Sequence, residues 1–276
     1  MHLRVGAGTD TGRVRALNED VYLSRAEQGL FLVCDGMGGS RAGEVASQMA
    51  VDTILKQLSD PPDNLALASA DERFLPHTSR LADAVRRSNH VIYQQAQQDS
   101  RHAEMGTTVV GTWIKNDIAS VAHVGDSRAY LWHDHSLEPL TRDHSLVEAQ
   151  VRAGLLDRQS SLHSEQRNIL LRVLGREPQI DVELSEVPLQ AGDYLLLCSD
   201  GLTCMVSDQT LTDAFITLRD PQRICNYLID AANRNGGADN ITVVVVEVPA
   251  PWWRRIVNRF ERSGGKEHDG QAHSAM

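Results

Sequence analysis

Apolar positions in this chain fall first into short runs suited to strands, then into stretches with the period of a helix. Residues 3–9, 20–25 and 30–34 read as strands bounded by turn residues. From about Ala42 to Leu58 the spacing changes, and Val51, Ile54, Leu55 and Leu58 share one helical face. Residues 59–80 have no clear period and read as a loop. A second helix follows from about Arg80 to Gln98, with Leu81, Val85 and Ile92 aligned. Three β-like runs come next, at 107–114, 118–125 and 127–133; the polar Lys115-Asn116-Asp117 joins the first two and suits a hairpin. Ser145 to Glu148 matches a capping box that starts a helix, and the polar, irregular residues 155–168 are expected to form a mobile flap. Strands at 180–187 and 194–200, two helices between Ser207 and Arg234, and a closing strand at 240–248 complete the pattern. Strands gathered toward the two ends with helices between them predict an α+β fold and not alternating βαβ units.

The length of 276 residues suits one large domain or two small ones, and the compact part is expected to end near Pro249-Ala250-Pro251. That places one domain at 1–249 and an extension at 250–276. A formal net charge of −10 disfavours nucleic acid as a partner for the bulk of the chain. No apolar run approaches the roughly 18 residues of a membrane span. The first residues, Met1 to Val5, lack the charged head and apolar body of a signal peptide. Cys34, Cys198, Cys204 and Cys225 are scattered, as expected of buried, reduced thiols in a cytoplasmic protein.

The chemistry is carried by acids at strand ends. The run Leu30 to Cys34 stops at Asp35, and Gly36, Gly38 and Gly39 follow. Asp126 lies in His-Val-Gly-Asp-Ser-Arg, Asp200 ends Tyr-Leu-Leu-Leu-Cys-Ser-Asp, and Asp239 lies just before the last strand. Glu19 and Asp20 open the second strand. A single Asp of this kind is usually a turn residue. Several in one domain, converging where strands end, would repel one another strongly unless a cation sits among them. An all-oxygen set favours Mg²⁺ or Mn²⁺, and no Cys or His has zinc-like spacing.

The ordered set Arg-Ala-Leu-Asn-Glu-Asp, Asp-Gly-Met-Gly-Gly, Met-Gly-Thr-Thr, Gly-Asp-Ser-Arg, Ser-Asp-Gly-Leu and Asp-Asn-Ile-Thr resembles the metal-dependent type 2C protein Ser/Thr phosphatases in their compact bacterial form. The stretch 140–175 is similar to the flap region of that family, and the resemblance runs from about residue 5 to 248. It implies a central β-sandwich of two antiparallel sheets flanked by helices on both sides, a four-layer αββα arrangement. It also implies two core Mn²⁺ or Mg²⁺ ions and a third in bacterial relatives. Mapped by motif, Asp35 would bridge the two core ions with the Gly36 carbonyl as a further ligand. Asp200 and Asp239 would complete one ion, Glu19 and Asp20 would hold the other largely through water, and Asp126 with Asp200 would hold the third. Arg15 matches the family's phosphate-binding arginine, whose planar fork suits two phosphate oxygens.

The implied reaction is hydrolysis of phosphoserine and phosphothreonine in proteins. Two ions roughly 3.5–4 Å apart generate a bridging hydroxide that attacks phosphorus in line. The animal form has a His after the Asp-Gly as a proposed general acid. Met37 stands there in this chain and has no proton to give; His123 and His144 are candidates. The expected partners are phosphoproteins and an opposing Ser/Thr kinase, with the enzyme a monomer. The rival reading is a non-catalytic phosphatase-like binding module, disfavoured because its metal acids should have been lost.

The tail adds a basic amphipathic segment. Trp253, Ile256, Val257 and Phe260 fall on one helical side, and Arg254, Arg255, Arg259 and Arg262 on the other. Docking on the chain's own domain, on a partner, or on an anionic inner-membrane surface through 252–262 are all open, and the residues from Gly264 onward read as disordered.

Overall fold

Strand β3 (Leu30–Met37) shows how the layers arise. Leu30, Leu32 and Cys34 enter a core shared with helices α1 (Ala42–Ser59) and α2 (Pro76–Gln98), while Phe31 and Val33 enter a second core between two sheets. A strand covered on both faces must be apolar at successive positions, so the run shows no alternation. Strands β10 (Tyr194–Cys198) and β11 (Ile241–Glu247) repeat the division. Leu195, Leu197, Val244 and Val246 face the other sheet, and Leu196, Val243 and Val245 face the helices.

The computed structural model describes residues 2–38, 41–59, 73–157, 160, 164 and 166–249. With β1 (Arg4–Asp10), β7 (Arg128–His133) and β8 (Ser136–Pro139), one sheet has the order β1-β11-β10-β7-β8. The other runs β2 (Asp20–Arg25), β3, β5 (Val109–Lys115), β6 (Ile118–Val124), β9 (Glu183–Pro188), with the short β4 (Gly106–Thr107) paired to the end of β3. All the pairings are antiparallel. α1 and α2 cover one sheet. The short α4 (Asp200–Thr203), α5 (Asp208–Leu218) and α6 (Pro221–Arg234) cover the other, giving the expected αββα layers. Helix α3 (Leu146–Arg152) lies outside this frame and is capped by Ser145, whose hydroxyl accepts the Glu148 N–H.

The structure shifts several expected boundaries. Helix α2 begins at Pro76, not near Arg80, because Pro suits the first helical position. Its first turn buries Thr78, whose hydroxyl bonds Ser120 Oγ at 2.6 Å, so polar residues there hide the helical period. The strand expected at 194–200 stops at Cys198, since Ser199 is the N-cap of α4. The run at 107–114 is split at Thr108, and β9 starts at Glu183, not at residue 180. The β5–β6 hairpin turns through Asn116 (φ 49°) and Asp117 (φ 62°), both left-handed as a type I′ turn requires.

All four cysteines are free, and three are buried; Cys204 is exposed, contrary to expectation, because it follows α4 at the surface. Among the described residues no helix is long and apolar enough to cross a membrane. Residues 60–72 of the expected loop, residues 158–159, 161–163 and 165 of the expected flap, and the extension 250–276 lie outside the described residues.

Candidate metal centre

The sandwich brings its acids to one end. In the β2–β3 ladder Asp20 stands directly opposite Asp35, so the two side chains are nearest neighbours on one face. Asp35 continues the series Phe31, Val33 that points toward the other sheet. From that sheet Ser199, just after β10, donates its hydroxyl to Asp20 Oδ2 at 2.7 Å and accepts the Thr242 N–H at 3.0 Å. One serine therefore ties the two sheets together beside the acids. Asp200 follows it at the start of α4, Asp239 precedes β11, and Asp126 sits in the β6–β7 turn after Gly125 (φ 110°).

Burial and mutual repulsion dominate the electrostatics. Asp35 is held well above the ordinary carboxylate range, first by burial, then by Asp20, Asp200, Asp126 and Asp239. Burial likewise pushes Asp20 up to about 7 against the hydrogen bonds from Ser199 and Thr242. Asp126 is also well above its usual range, through burial and then Asp200 and Asp143. Asp200 is raised by burial and by Asp239. Two carboxylate oxygens in this group, Asp20 Oδ1 and Asp200 Oδ1, are buried without any hydrogen-bond partner. Buried acceptors left empty in this way cost free energy unless a cation takes them. The residues therefore fit a hard divalent ion: an all-oxygen set, negative in excess, with lone pairs free.

Glu19 and Gly36 sit where α1 meets this end. Glu19 Oε1 accepts the Gly43 N–H at 3.2 Å, and the Glu19 carbonyl accepts from Gly36 N and Ser47 Oγ. A Cβ on Gly36 would lie 2.2 Å from the Gly43 carbonyl oxygen and 2.6 Å from that of Glu19. The close approach of helix to strand thus requires glycine in its own right, a reason absent from the sequence reading. Gly36→Ala is expected to cost about 2–4 kcal/mol, read as a fall in Tm of several degrees; an unchanged Tm would refute the packing argument.

Arg15 reaches the same cluster. Its guanidinium donates to Asp239 Oδ2 at 2.7 Å, and Asp239, Asp35 and Asp200 all hold it charged. Sequence reasoning overlooked the shell around the acids. Asn240 takes the Glu19 N–H and donates to the Thr11 and Leu17 carbonyls, fixing the loop that carries Arg15. Thr108 Oγ accepts the Asp35 N–H. Asp143 grips Arg128 through two bonds of 2.7 Å beside Asp126. Asn240 and Thr108 both lie inside the quoted motifs, which was the available signal.

His123, His144 and Glu183 form a neighbouring trio whose ligand atoms lie within 4.8 Å of one another. It does not suit a cation. The Gly125 N–H can only donate, so His144 Nδ1 accepts it (3.1 Å) and the proton sits on Nε2, facing Glu183 Oε2 at 3.0 Å. The Arg172 guanidinium already stands 3.4 Å from that Nε2. His123 is buried and neutral, its pKa pushed down to about 4 by burial and by His144. The His144 ring is thus engaged inside the fold, and His144 positions the Gly125–Asp126 turn through its ring and through its N–H to the Gly125 carbonyl, whereas both ring nitrogens of His123 are buried without a hydrogen-bond partner.

The two-sheet sandwich thus gathers these acids at one end with an arginine beside them. The sequence model for protein phosphatase 2C matches residues 7–238, and the chain belongs to that family. The serine/threonine phosphatase stp of Listeria monocytogenes is 40% identical over 243 residues, covering 87% of this chain and 93% of that protein. The crystal structure of the Mycobacterium tuberculosis serine/threonine phosphatase PstP/Ppp superposes with a TM-score of 0.80 at 34% identity, over 91% of this chain and all (100%) of that one. The catalytic domain of PstP, in complex with two manganese ions, superposes at 0.77 with 34% identity, over 90% of this chain and 99% of that one.

Proposed function

We propose that this chain is a protein serine/threonine phosphatase whose catalytic domain, residues 1–249, hydrolyses phosphoserine and phosphothreonine and opposes a bacterial Ser/Thr kinase. The carrying observation is the group of mutually repelling carboxylates, Asp20 buried and the others half-buried, with two orphaned oxygens. Asp35, Asp200 and Asp239, with Glu19, Asp20 and the Gly36 carbonyl, are the residues that would hold two Mn²⁺ or Mg²⁺ ions. Asp126 with Asp200 would hold a third. When bound, such ions supply Lewis-acid activation of water and charge stabilisation at phosphorus. The manganese-bound PstP relative supports this choice.

The chain's own residues do the rest. Arg15, beside Asp239 on an anchored loop, binds the phosphate dianion and orients it toward the acids. Met37 donates nothing, the His144 ring is held by Gly125 and Glu183, and His123 is buried with its ring against His144, so the leaving alkoxide takes its proton from water. Arg15→Ala is expected to raise KM for a phosphothreonine peptide about tenfold with a smaller change in kcat; an unchanged KM removes Arg15 from the substrate site.

The decisive assay measures phosphate release from phosphopeptide, and cleavage of single-stranded DNA, with Mn²⁺ and with EDTA. Release from the peptide only in Mn²⁺, with DNA intact, is expected. Binding of phosphopeptide without turnover would make the chain a non-catalytic module, and cleavage of DNA a nuclease.

A further inference from the structure

Although the chain carries a net charge of −10, one groove has a different character. It encloses about 800 Å³ between helix α2 and the segment 170–181. Arg86 lines it from α2, and Arg172 and Arg176 line it from the opposite wall. Glu177 and Asp181 also border it, yet among the described residues neither carboxylate pairs with an arginine. Arg86 instead bonds Asp83 at 2.9 Å on its own helix, and Arg172 stands 3.4 Å from His144 Nε2 with the Glu183 carboxylate close enough to feel its charge. Arg176 has no hydrogen-bond or ion-pair partner among the described residues. Three guanidinium groups border one concavity, Arg176 among them without a partner, and together they form a preset receptor for carboxylates.

The groove leads to the metal-site acids through three links. The Asp35 carbonyl accepts Thr107 Oγ at 2.9 Å, Thr107 pairs with Leu174, and Arg176 follows two residues later. Leu171, 54% exposed, adds an apolar foothold on the same wall. Three links of roughly 5–6 Å each put Arg176 within about 15–20 Å of Asp35, a span that an extended peptide covers in about four to six residues.

We propose that this groove binds an acidic segment of the phosphoprotein, about four to six residues from the phosphorylated side chain. The assignment rests on the phosphatase reading above and names the substrate class for that site. Docking there lowers KM without touching the chemistry, because the contacts are made equally in ground and transition states.

The experiment compares phosphothreonine peptides carrying either three acidic residues or three serines at that distance, on each side in turn. One acidic peptide is expected to show a KM about fivefold lower at equal kcat. That preference fades in about 0.5 M salt. It disappears in the double variant Arg86→Glu, Arg176→Glu and survives in Arg176→Lys. Hydrolysis of p-nitrophenyl phosphate, too small to reach the groove, stays at the wild-type rate in every variant and so reports an intact fold and centre. Equal KM for acidic and neutral peptides, a preference that outlives charge reversal, or a parallel loss of p-nitrophenyl phosphate hydrolysis would each overturn the docking. Absence of turnover with every substrate would overturn the phosphatase reading itself and the docking with it.

Discussion

Asp35→Asn is expected to abolish Mn²⁺-dependent hydrolysis of p-nitrophenyl phosphate, lowering kcat by about a thousandfold or more. The amide keeps the shape of the side chain but has one oxygen instead of two, and no charge. Asp35 is the acid most surrounded by the others, with Asp20, Asp200, Asp126 and Asp239 all raising its pKa. Its loss therefore removes the centre of the cation-binding set. The same substitution should raise Tm in EDTA, because burying a neutral amide beside four acids costs less than burying a fifth charge. Opposite signs for activity and metal-free stability separate this account from simple misfolding. Retained activity would refute the role proposed for Asp35.

Metal-free stability should also depend on pH through Asp20. Burial raises its folded pKa from 3.8 to about 7. Below about 4 the acid is protonated in both states and costs nothing. As pH rises toward 7 the unfolded chain ionises first, so the folded state loses stability, on the order of 4 kcal/mol once both forms are charged. His123 works in the opposite direction over part of the same window. Its pKa is lowered to about 4 in the fold, so stability is lost as pH falls from about 6.5. The clean measurement is therefore the difference in Tm between Asp20→Asn and wild type in EDTA. It should be close to zero near pH 4 and reach about 10 °C at pH 7.5. Addition of Mn²⁺ should shrink it by stabilising wild type. A difference independent of pH would sink the assignment.

Many of the strands and helices are legible because each element leaves its period in the chain. The apolar runs at 30–34 and 194–198 are continuous because both faces are covered, and α1 shows its single buried stripe. The failures have local causes. The start of α2 was hidden by buried Thr78 and Ser79, which the hydropathy pattern scores as loop. The strand predicted at 194–200 ends at Cys198 because Ser199 and Asp200 begin a helical turn. The acids themselves were visible as Asp at strand ends, and the ordered motifs named their family.

What the residue order determined unaided was therefore the order of strands and helices and the list of acids, since periodicity and motif spacing are one-dimensional, while the layers came with the family resemblance. The tertiary structure decided how those acids meet. Only pairing of β2 with β3 sets Asp20 opposite Asp35, and only closure of the second sheet brings Ser199, 179 positions away, onto Asp20. The arginine groove and the contact between the His123 and His144 rings depend equally on tertiary packing. Burial, repulsion and unpaired oxygens are properties of distance in space, and two residues far apart in a chain have no distance until the sheets have packed.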